Sequence, residues 1–434
     1  MKKVLVVTYY FPPSGGSGVQ RVLKFVKYLP GFGWEPVVLT VKENASFPVR
    51  DESLQAEIPE GVTVVRTPLF EPYGFYRKLT GRSKGESLDI AANTDGRNSP
   101  GEKFSEWIRS TFFIPDARIF WKHRAVREGM KIIHRHGIHA VLSSAPPYTC
   151  HLIGRDLKRR SGLPWAADFR DSWVDWLSAP SRRLLSRKID LAMEGSVLGE
   201  ADRILHATRG VRADLFSRHP SLEEDKWEYL PNGYDSGDFS GPSPPPRTDR
   251  FILTYTGSLY GKRNPRVLLE ALDRMTAEKP GLKEKLLVRF VGRVHESIAE
   301  EFGRFGEMIE TIPYVDHAQS IGLLRDSSAL LLIVDDAPQS AGIVTGKLYE
   351  YIGSGKPILA LAPAGEAADL VFSLGAGRVA DPGDPDSVRR ILERWIEAWQ
   401  QGRFQELFHV RDSGKFDRRE LTRQLAETLN RMMG

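Results

Sequence analysis

Residues 2–41 have the sequence KKVLVVTYYFPPSGGSGVQRVLKFVKYLPGFGWEPVVLTV, and this stretch decides the fold. It begins with a short, β-branched apolar run, which is typical of a strand buried on both faces. A glycine-rich loop follows, and then Val19, Leu23 and Val26 recur at helical spacing. A second apolar run, EPVVLTV, ends the stretch. A strand, a glycine loop, a helix and a strand in this order predict a parallel α/β sheet.

The same alternation continues along the chain and then restarts. Apolar runs and helical patterns follow one another as far as KWEYLPNGYD at residues 226–235. A proline-rich segment, residues 240–249, has the composition of a linker. After it, RFILTYTGS begins a second α/β series. We therefore expect two domains, residues 1–240 and 241–414, with a flexible polar loop at residues 83–103.

Composition sets broad limits on the class of protein. The net charge of +5 is compatible with an ordinary solvated surface, with phosphorylated ligands or with an anionic membrane. We expect no nucleic-acid partner. The one cysteine, Cys150, fits a reducing cytoplasm. There is no signal-peptide pattern and no apolar run of the roughly 18 residues that span a bilayer. The sequence predicts a cytoplasmic protein, soluble or peripheral on the inner face of the membrane.

The first glycine loop resembles part of a dinucleotide-binding motif. Gly16 and Gly18 begin a G-x-G pattern, but Arg21 stands where the third glycine is needed. The second strand ends at residues 39–42 without the acidic residue that would bind a ribose. These differences disfavour NAD. The loop is compatible either with a tight turn or with backbone amides around Gly16 that bind a phosphate at a helix N-terminus.

Two basic residues follow the first strand of the second series, in YTGSLYGKRNPRVLLEAL at residues 255–272. Ligands of open parallel sheets bind beyond the carboxyl ends of the strands, which is where Lys262 and Arg263 are expected. Two adjacent cations suit a diphosphate. A solvated basic turn is the alternative interpretation.

The stretch SAGIVTGKLYEYIGSGKPILAL at residues 340–361 also places a basic residue after a predicted strand and a glycine-containing loop. Lys347 lies at the start of a predicted helix, where the helix dipole favours an anion. Glu350 follows one turn later. A carboxylate beside a phosphate site is favourable where it accepts hydrogen bonds from sugar hydroxyls. The alternative is an exposed helix glutamate.

These motifs, in their order and spacing over nearly the whole chain, resemble retaining family-4 glycosyltransferases of the bacterial surface-polysaccharide type. The resemblance implies the GT-B fold, with two Rossmann-like parallel-sheet domains facing across a cleft and a final helix, residues 415–434, packing back on the first. It implies a nucleotide-diphosphate sugar as donor. Gly16 would lie near the donor phosphates. Arg263 stands where the family has its diphosphate-binding lysine, with Lys262 as an alternative, and Glu350 matches the glutamate that holds the ribose.

Three positions differ from the family pattern. Gly342 replaces a glutamate that contacts the donor sugar, and Ser258 replaces a phosphate-binding arginine. In ADFRDSW, Arg170 and Asp171 stand where the family has a histidine near the acceptor. Arg170 is a candidate for binding phosphate or orienting the acceptor, and Asp171 for accepting its proton. A structural ion pair at a strand end is the alternative for these two.

The resemblance implies sugar transfer to an acceptor hydroxyl with retained configuration and without a metal or other cofactor. Asp335 and Asp336 form an acidic pair, but no third metal ligand accompanies them. Residues 69–84 and SRRLLSRK at 181–188 mix apolar and basic side chains, which suits either an anionic membrane and a lipid-linked acceptor or packing on the domain. Two rival functions share the expected fold, namely a sugar-nucleotide epimerase and a non-catalytic sugar-nucleotide-binding assembly partner.

Overall fold

The computed structural model describes residues 1–47, 49–69, 113–174, 182, 184–241, 249–261, 263–335 and 338–434. The expected loop at 83–103, nearly all of the stretch 69–84, Lys262 and Asp336 lie outside the described residues. The chain divides into two compact units. The first unit comprises Met1–Pro231 and Arg418–Gly434, and the second comprises Asn232–Asp417.

The first unit contains a parallel sheet of seven strands in the order β3-β2-β1-β4-β5-β6-β7. Its strands are β1 Lys2–Val7, β2 Trp34–Val41, β3 Thr63–Thr67, β4 Ala140–Ala145, β5 Trp165–Phe169, β6 Arg203–His206 and β7 Trp227–Tyr229. Its helices are α1 Ser17–Tyr28, α2 Lys122–His136, α3 Thr149–Ser161, α4 Leu184–Glu200, α5 Arg209–Arg218 and, from the C-terminal segment, the last helix of the chain at Arg418–Arg431.

The opening stretch forms the centre of this sheet, as its pattern predicts. The apolar side chains of β1 are fully buried, and Leu5 of β1 is in register with Val37 of β2. The strand order reverses direction next to β1, because β2 lies on one side of it and β4 on the other. Loops that follow β1 and β4 leave in opposite directions from such a switch point, and ligands bind in the crevice between them.

The C-terminal segment completes the hydrophobic core of the first unit. Leu421, Leu425 and Leu429 recur every four residues along one face of the last helix and are fully buried. They belong to the same core cluster as Val22 of α1 and Leu230. The last helix is therefore a structural part of the first unit, although the second unit separates it in sequence.

The second unit contains a parallel sheet of six strands in the order β10-β9-β8-β11-β12-β13. Its strands are β8 Phe251–Thr256, β9 Leu286–Val291, β10 Ile309–Ile312, β11 Ala329–Ile333, β12 Ile358–Leu361 and β13 Gly377–Ala380. Its helices are α6 Arg266–Glu278, α7 Leu282–Lys285, α8 Glu296–Phe302, α9 His317–Arg325, α10 Gly346–Ser354, α11 Glu366–Ser373 and α12 Pro385–Gln400, which makes the last helix of the chain α13.

The change from the first unit to the second falls at Pro231–Asn232, ahead of the proline-rich segment. Tyr234 packs beside Phe239 with its ring centroid 6.2 Å away, and its side chain fills the space next to Gly353 of α10. The contact with Gly353 attaches residues 232–241 to the rest of the second unit. No helix among the described residues is long and apolar enough to cross a membrane.

Candidate functional site

The switch point of the second sheet lies between β8 and β11, and two of the predicted anion-binding residues, Arg263 and Lys347, lie beside it. Gly257 directly follows β8 and has a φ of 123°, which a side-chain-bearing residue rarely adopts. A Cβ atom at this position would lie 2.8 Å from Cε of Lys347. The positive φ favours glycine at this position, and the end of the lysine side chain lies directly over its backbone.

Arg263 crosses this switch point. It follows β8, and its guanidinium donates two hydrogen bonds to Asp335, which follows β11, with Nε 2.9 Å and Nη2 3.1 Å from the two carboxylate oxygens. Both side chains are partly exposed. The structure therefore places Asp335, which the sequence suggested as half of an acidic pair, in a bidentate ion pair with a predicted phosphate-binding residue.

Lys347 lies in the first turn of α10 and reaches back to β8. Its Nζ donates a hydrogen bond to the hydroxyl of Tyr255 at 2.8 Å and lies 4.3 Å from the centre of the tyrosine ring. Burial lowers the pKa of Lys347 to about 7, and the nearby positive charge of Arg263 acts in the same direction. The structure thus brings Arg263 and Lys347 together at one edge of the sheet.

Glu350 lies one turn further along α10 and faces α9. Its Oε1 is 3.9 Å from Nδ1 of His317, whose Nε2 is 3.1 Å from a carboxylate oxygen of Asp238. The Glu350 side chain is partly exposed. Sequence reasoning missed His317, Asp335 as an ion-pair partner and Tyr255, since each becomes a neighbour of the site only through the sheet topology.

Two positions that differ from the family pattern belong to the same edge. The backbone carbonyl of Ser258 accepts a hydrogen bond from the hydroxyl of Tyr255 at 3.1 Å. Gly342 ends a short helical turn, Pro338–Gly342, which precedes α10. A Cβ atom on Gly365 would lie 2.5 Å from the carbonyl oxygen of Ala341, so this turn packs closely against the backbone at residue 365.

In the first unit, Gly16 precedes α1 at the carboxyl end of β1. It is exposed and has a φ of 84°. The neighbouring amide of Gly15 donates to the carbonyl of Val49 at 2.9 Å, which fixes the loop against the segment after β2. Gly16 therefore lies where the positive end of a helix dipole meets the switch point of this sheet.

Arg170 crosses the switch point of the first sheet. Its guanidinium donates hydrogen bonds to three backbone carbonyls: those of Ala145 at the end of β4, with Nε 3.0 Å away, of Pro146, and of Gly18 in α1. These bonds connect the loop after β4 to the start of α1. Arg170 therefore has a structural role here, because it fixes the two segments that border the crevice.

Asp171 is adjacent to Arg170 but makes no hydrogen bond or ion pair within the described part of the chain. Burial raises the pKa of its carboxyl group above the ordinary value, and the charge of Arg170 opposes this shift only in part. The structural ion pair that was the alternative interpretation is therefore not formed among these residues. A carboxylate in this state is suited to accept a proton.

Arg21 has a role that the sequence did not suggest. Its Nη2 lies 2.7 Å from a carboxylate oxygen of Asp168 in β5, and both side chains are at most 1% exposed. The same guanidinium donates to the carbonyls of Leu230 and Pro231, and Ser144 donates to Asp168 at 2.7 Å. Arg21, which stands where a dinucleotide-binding motif has its third glycine, is thus a buried cation. It connects α1 to β5 and to Leu230 and Pro231, the last residues before the second unit.

Two doubly wound parallel units of this kind define the GT-B class of proteins. Residues 15–233 match the family described as glycosyl transferase 4-like domain, which is half of the chain. The protein belongs to this glycosyltransferase family. No curated protein sequence matches the chain.

Solved structures with the same fold cover nearly the whole chain. The structure of Anabaena HepE in complex with UDP has a TM-score of 0.62 and 15% sequence identity, and covers 99% of this chain and 100% of its own. WaaG, a glycosyltransferase involved in lipopolysaccharide biosynthesis, has a TM-score of 0.58 and 15% identity, with 98% and 99% covered. A putative UDP-N-acetylglucosamine 2-epimerase from Listeria monocytogenes has a TM-score of 0.55 and 11% identity, with 98% and 95% covered. The fold alone therefore accommodates both transferases and an epimerase, and the family match favours transfer.

Proposed function

We propose that the protein is a retaining glycosyltransferase that moves a sugar from a nucleotide-diphosphate sugar to an acceptor hydroxyl in the assembly of a cell-surface polysaccharide or glycolipid. The observation that carries this proposal is the convergence of Arg263 and Lys347 at the switch point of the second sheet. The family match and the binding of UDP by HepE support it. The involvement of WaaG in lipopolysaccharide biosynthesis supports the polysaccharide role.

In the proposed donor complex, Arg263 and Lys347 bind the diphosphate and Glu350 accepts hydrogen bonds from the ribose. The loop at Gly16, in the first unit, is proposed by itself as a phosphate-binding element that offers backbone amides. Lys262, the neighbour of Arg263, is an alternative diphosphate ligand. Positive groups fixed near the leaving diphosphate stabilise the charge that develops on it during transfer.

On the acceptor side, we assign proton acceptance to Asp171, assisted by the departing diphosphate. The raised pKa of Asp171 supports this role, because a carboxylate of raised basicity takes a hydroxyl proton more readily. Arg170 acts indirectly, by holding the loop after β4 against α1. Retention of configuration follows from the family resemblance.

The proposed reaction needs no metal ion, because Arg263 and Lys347 supply the positive charge that a divalent cation would otherwise bring to the diphosphate. The carboxylate of Asp335 is already occupied by Arg263. The test is a screen of nucleotide sugars for release of nucleoside diphosphate, with and without bacterial lipid extract and with EDTA in parallel. Turnover that requires an acceptor and survives EDTA supports the proposal. Conversion of donor without nucleotide release would identify an epimerase, binding without turnover an assembly partner, and rescue by manganese a metal enzyme.

Replacing Glu350 with alanine is expected to weaken nucleoside diphosphate binding by about 1.5–3 kcal/mol, the range for hydrogen bonds to a charged group. The fold should be retained, because the Glu350 side chain is partly exposed and lies outside the core. Calorimetric titration measures the affinity, and Glu300→Ala on the exposed face of α8 is the matched control. Equal affinities for the two variants would remove Glu350 from the donor site.

An exposed apolar patch supports the proposal that the first unit binds an anionic membrane and takes a lipid-linked acceptor. Leu184 and Leu185 open α4 with 83% and 72% of their surface exposed, and Ile189 is 38% exposed. Lys188 is exposed one turn after Leu184. Exposed leucines beside a basic residue suit insertion into the interface of an anionic bilayer. We propose the inner face of the membrane as the location, in keeping with the cytoplasmic protein that the sequence predicts.

Replacing both Leu184 and Leu185 with serine is expected to lower the partition onto phosphatidylglycerol vesicles by at least about tenfold, since each leucine loses its transfer free energy. Vesicle co-sedimentation measures the partition. Phe372→Ser is the control, because Phe372 is also 83% exposed but lies on α11, which carries Glu366 and Asp369 and no basic residue. Unchanged partition of the double variant would rule out this surface as the membrane contact.

A further inference from the structure

Lys347 is fixed in one position by groups that the proposed function does not use. Tyr255 is fully buried in β8, and its hydroxyl donates to the carbonyl of Ser258 while accepting the hydrogen bond from Nζ of Lys347. Because the phenol is held at both its ring and its hydroxyl, it gives the amine a rigid support.

The space that the amine occupies is also fixed by the backbone. The lysine side chain passes over Gly257, at a distance that leaves no room for a Cβ atom. Gly257 is in turn confined by Gly292, because a Cβ atom on Gly292 would lie 2.5 Å from the carbonyl oxygen of Gly257. The Lys347 side chain therefore packs on the backbone of Gly257, which follows β8, and Gly257 packs on Gly292, which follows β9.

The charged and titratable groups that face Lys347 come from four segments of the second unit. Tyr255 lies on β8, Arg263 on the loop after β8, Asp335 after β11 and Glu350 on the same helix as the lysine. Asp335 is engaged by Arg263, and Glu350 faces His317. Burial lowers the pKa of Lys347 to about 7, Arg263 adds to this, and the two carboxylates oppose it. At pH 8 the amine of the free protein is therefore mostly neutral.

A diphosphate changes this balance. Its negative charges beside Nζ favour the ammonium form, so the nitrogen lone pair takes a proton from the solvent and the bound state contains one more N–H bond than the free state. Affinity then falls as the pH rises above 7, because the proton consumed on binding becomes scarcer. Well below pH 7 the lysine is already protonated, and this dependence is absent.

We propose that Tyr255 is a positioning residue that holds Lys347 for the donor diphosphate, and that Lys347 takes up one proton from solvent when the diphosphate binds. The inference rests on the proposed function, because it concerns the same donor site. It adds a residue and a coupled proton that the family match does not assign.

Calorimetric titration of the whole protein tests whether a proton is taken up when the diphosphate binds. The ligand is whichever of uridine, guanosine, thymidine, cytidine and adenosine diphosphate binds most tightly. Measurement at pH 8 in HEPES and in Tris, which differ in ionisation enthalpy, gives the number of protons exchanged. For a pKa of about 7, uptake should be about 0.9 proton at pH 8 and about half a proton at pH 7. Lys347→Arg, whose side chain stays charged, should show no uptake.

A double-mutant cycle tests Tyr255. Tyr255→Phe keeps the ring but removes the hydroxyl and should weaken binding about tenfold at pH 8, in line with the loss of a hydrogen bond to a charged group. In a Lys347→Met background the same change should have no further effect, because Tyr255 acts through the lysine.

The outcomes distinguish a failure of the proton coupling from a failure of the donor site. Binding without proton uptake in the wild type, or an equal loss from Tyr255→Phe in both backgrounds, overturns this inference and leaves the donor proposal intact. If the wild type binds none of the five diphosphates, the donor proposal fails and the inference fails with it. If Tyr255→Phe does not fold, the proton uptake of the wild type and of Lys347→Arg still decides whether Lys347 takes up a proton on binding.

Discussion

Replacing Arg263 with alanine is expected to weaken nucleoside diphosphate binding by about 100-fold, within the range for truncating one partner of a hydrogen-bonded charge pair. Two effects add. The diphosphate loses a positively charged donor. Asp335 loses its bidentate partner and is left as an uncompensated carboxylate at the proposed diphosphate site. Calorimetric titration gives the affinity, and Arg266→Ala, at an exposed position three residues later, is the control.

The second effect can be isolated with a second substitution. Arg263→Ala combined with Asp335→Asn should bind more tightly than Arg263→Ala alone, because the repelling carboxylate is removed. If the single variant binds like the wild type, the bidentate pair is only a structural link between the loop after β8 and β11, and the donor diphosphate must bind elsewhere.

Replacing Asp168 with alanine is expected to destabilise the first unit by about 3–5 kcal/mol, because it leaves the buried guanidinium of Arg21 without its counter-charge. Scanning calorimetry and chemical denaturation measure the change. Glu200→Ala, which breaks the exposed Arg159–Glu200 pair, is the control and should cost less than about 1 kcal/mol. A similar loss in both variants would contradict this account.

The same pair should make the first unit sensitive to acid. Burial disfavours the ionised form of Asp168, but Arg21, the hydrogen bond from Ser144 and the charge of Arg170 outweigh it, so the pKa stays below the ordinary value. A carboxyl group with a lowered pKa in the folded state stabilises the protein above the pKa of the unfolded chain. This contribution is lost as the pH falls through the lowered pKa.

The local elements of the fold were predictable because each depends on neighbours in sequence. The strand–glycine loop–helix–strand unit of residues 2–41 is confirmed as β1, α1 and β2. Strand order was not predictable in this way, because pairing of β1 with β4 joins residues more than a hundred positions apart. The expectation of GT-B architecture is confirmed by the two sheets and by the structural relatives.

Only the charged groups of the candidate site could be proposed from the sequence. Arg263, Lys347 and Glu350 stood out because they come after glycine-rich turns that follow predicted strands, and their binding roles stay predictions. Tyr255 was hidden in an apolar strand, where an aromatic residue normally indicates packing. The available signal was the spacing in YTG, which places a hydroxyl two residues before a glycine at a strand end. The assignments of all seven candidate site residues stay predictions that the proposed experiments and their variants can test: Gly16, Arg170, Asp171, Lys262, Arg263, Lys347 and Glu350.

The last helix has a consequence for how the chain matures. Leu421, Leu425 and Leu429 of α13 pack in the same core cluster as α1. Because α13 follows the second unit in sequence, this part of the core stays incomplete until the ribosome has synthesised the whole second unit. The second unit, by contrast, is formed by one continuous segment, Asn232–Asp417. During synthesis, the face of α1 that α13 later covers is an exposed apolar surface, which is the type of surface that chaperones bind.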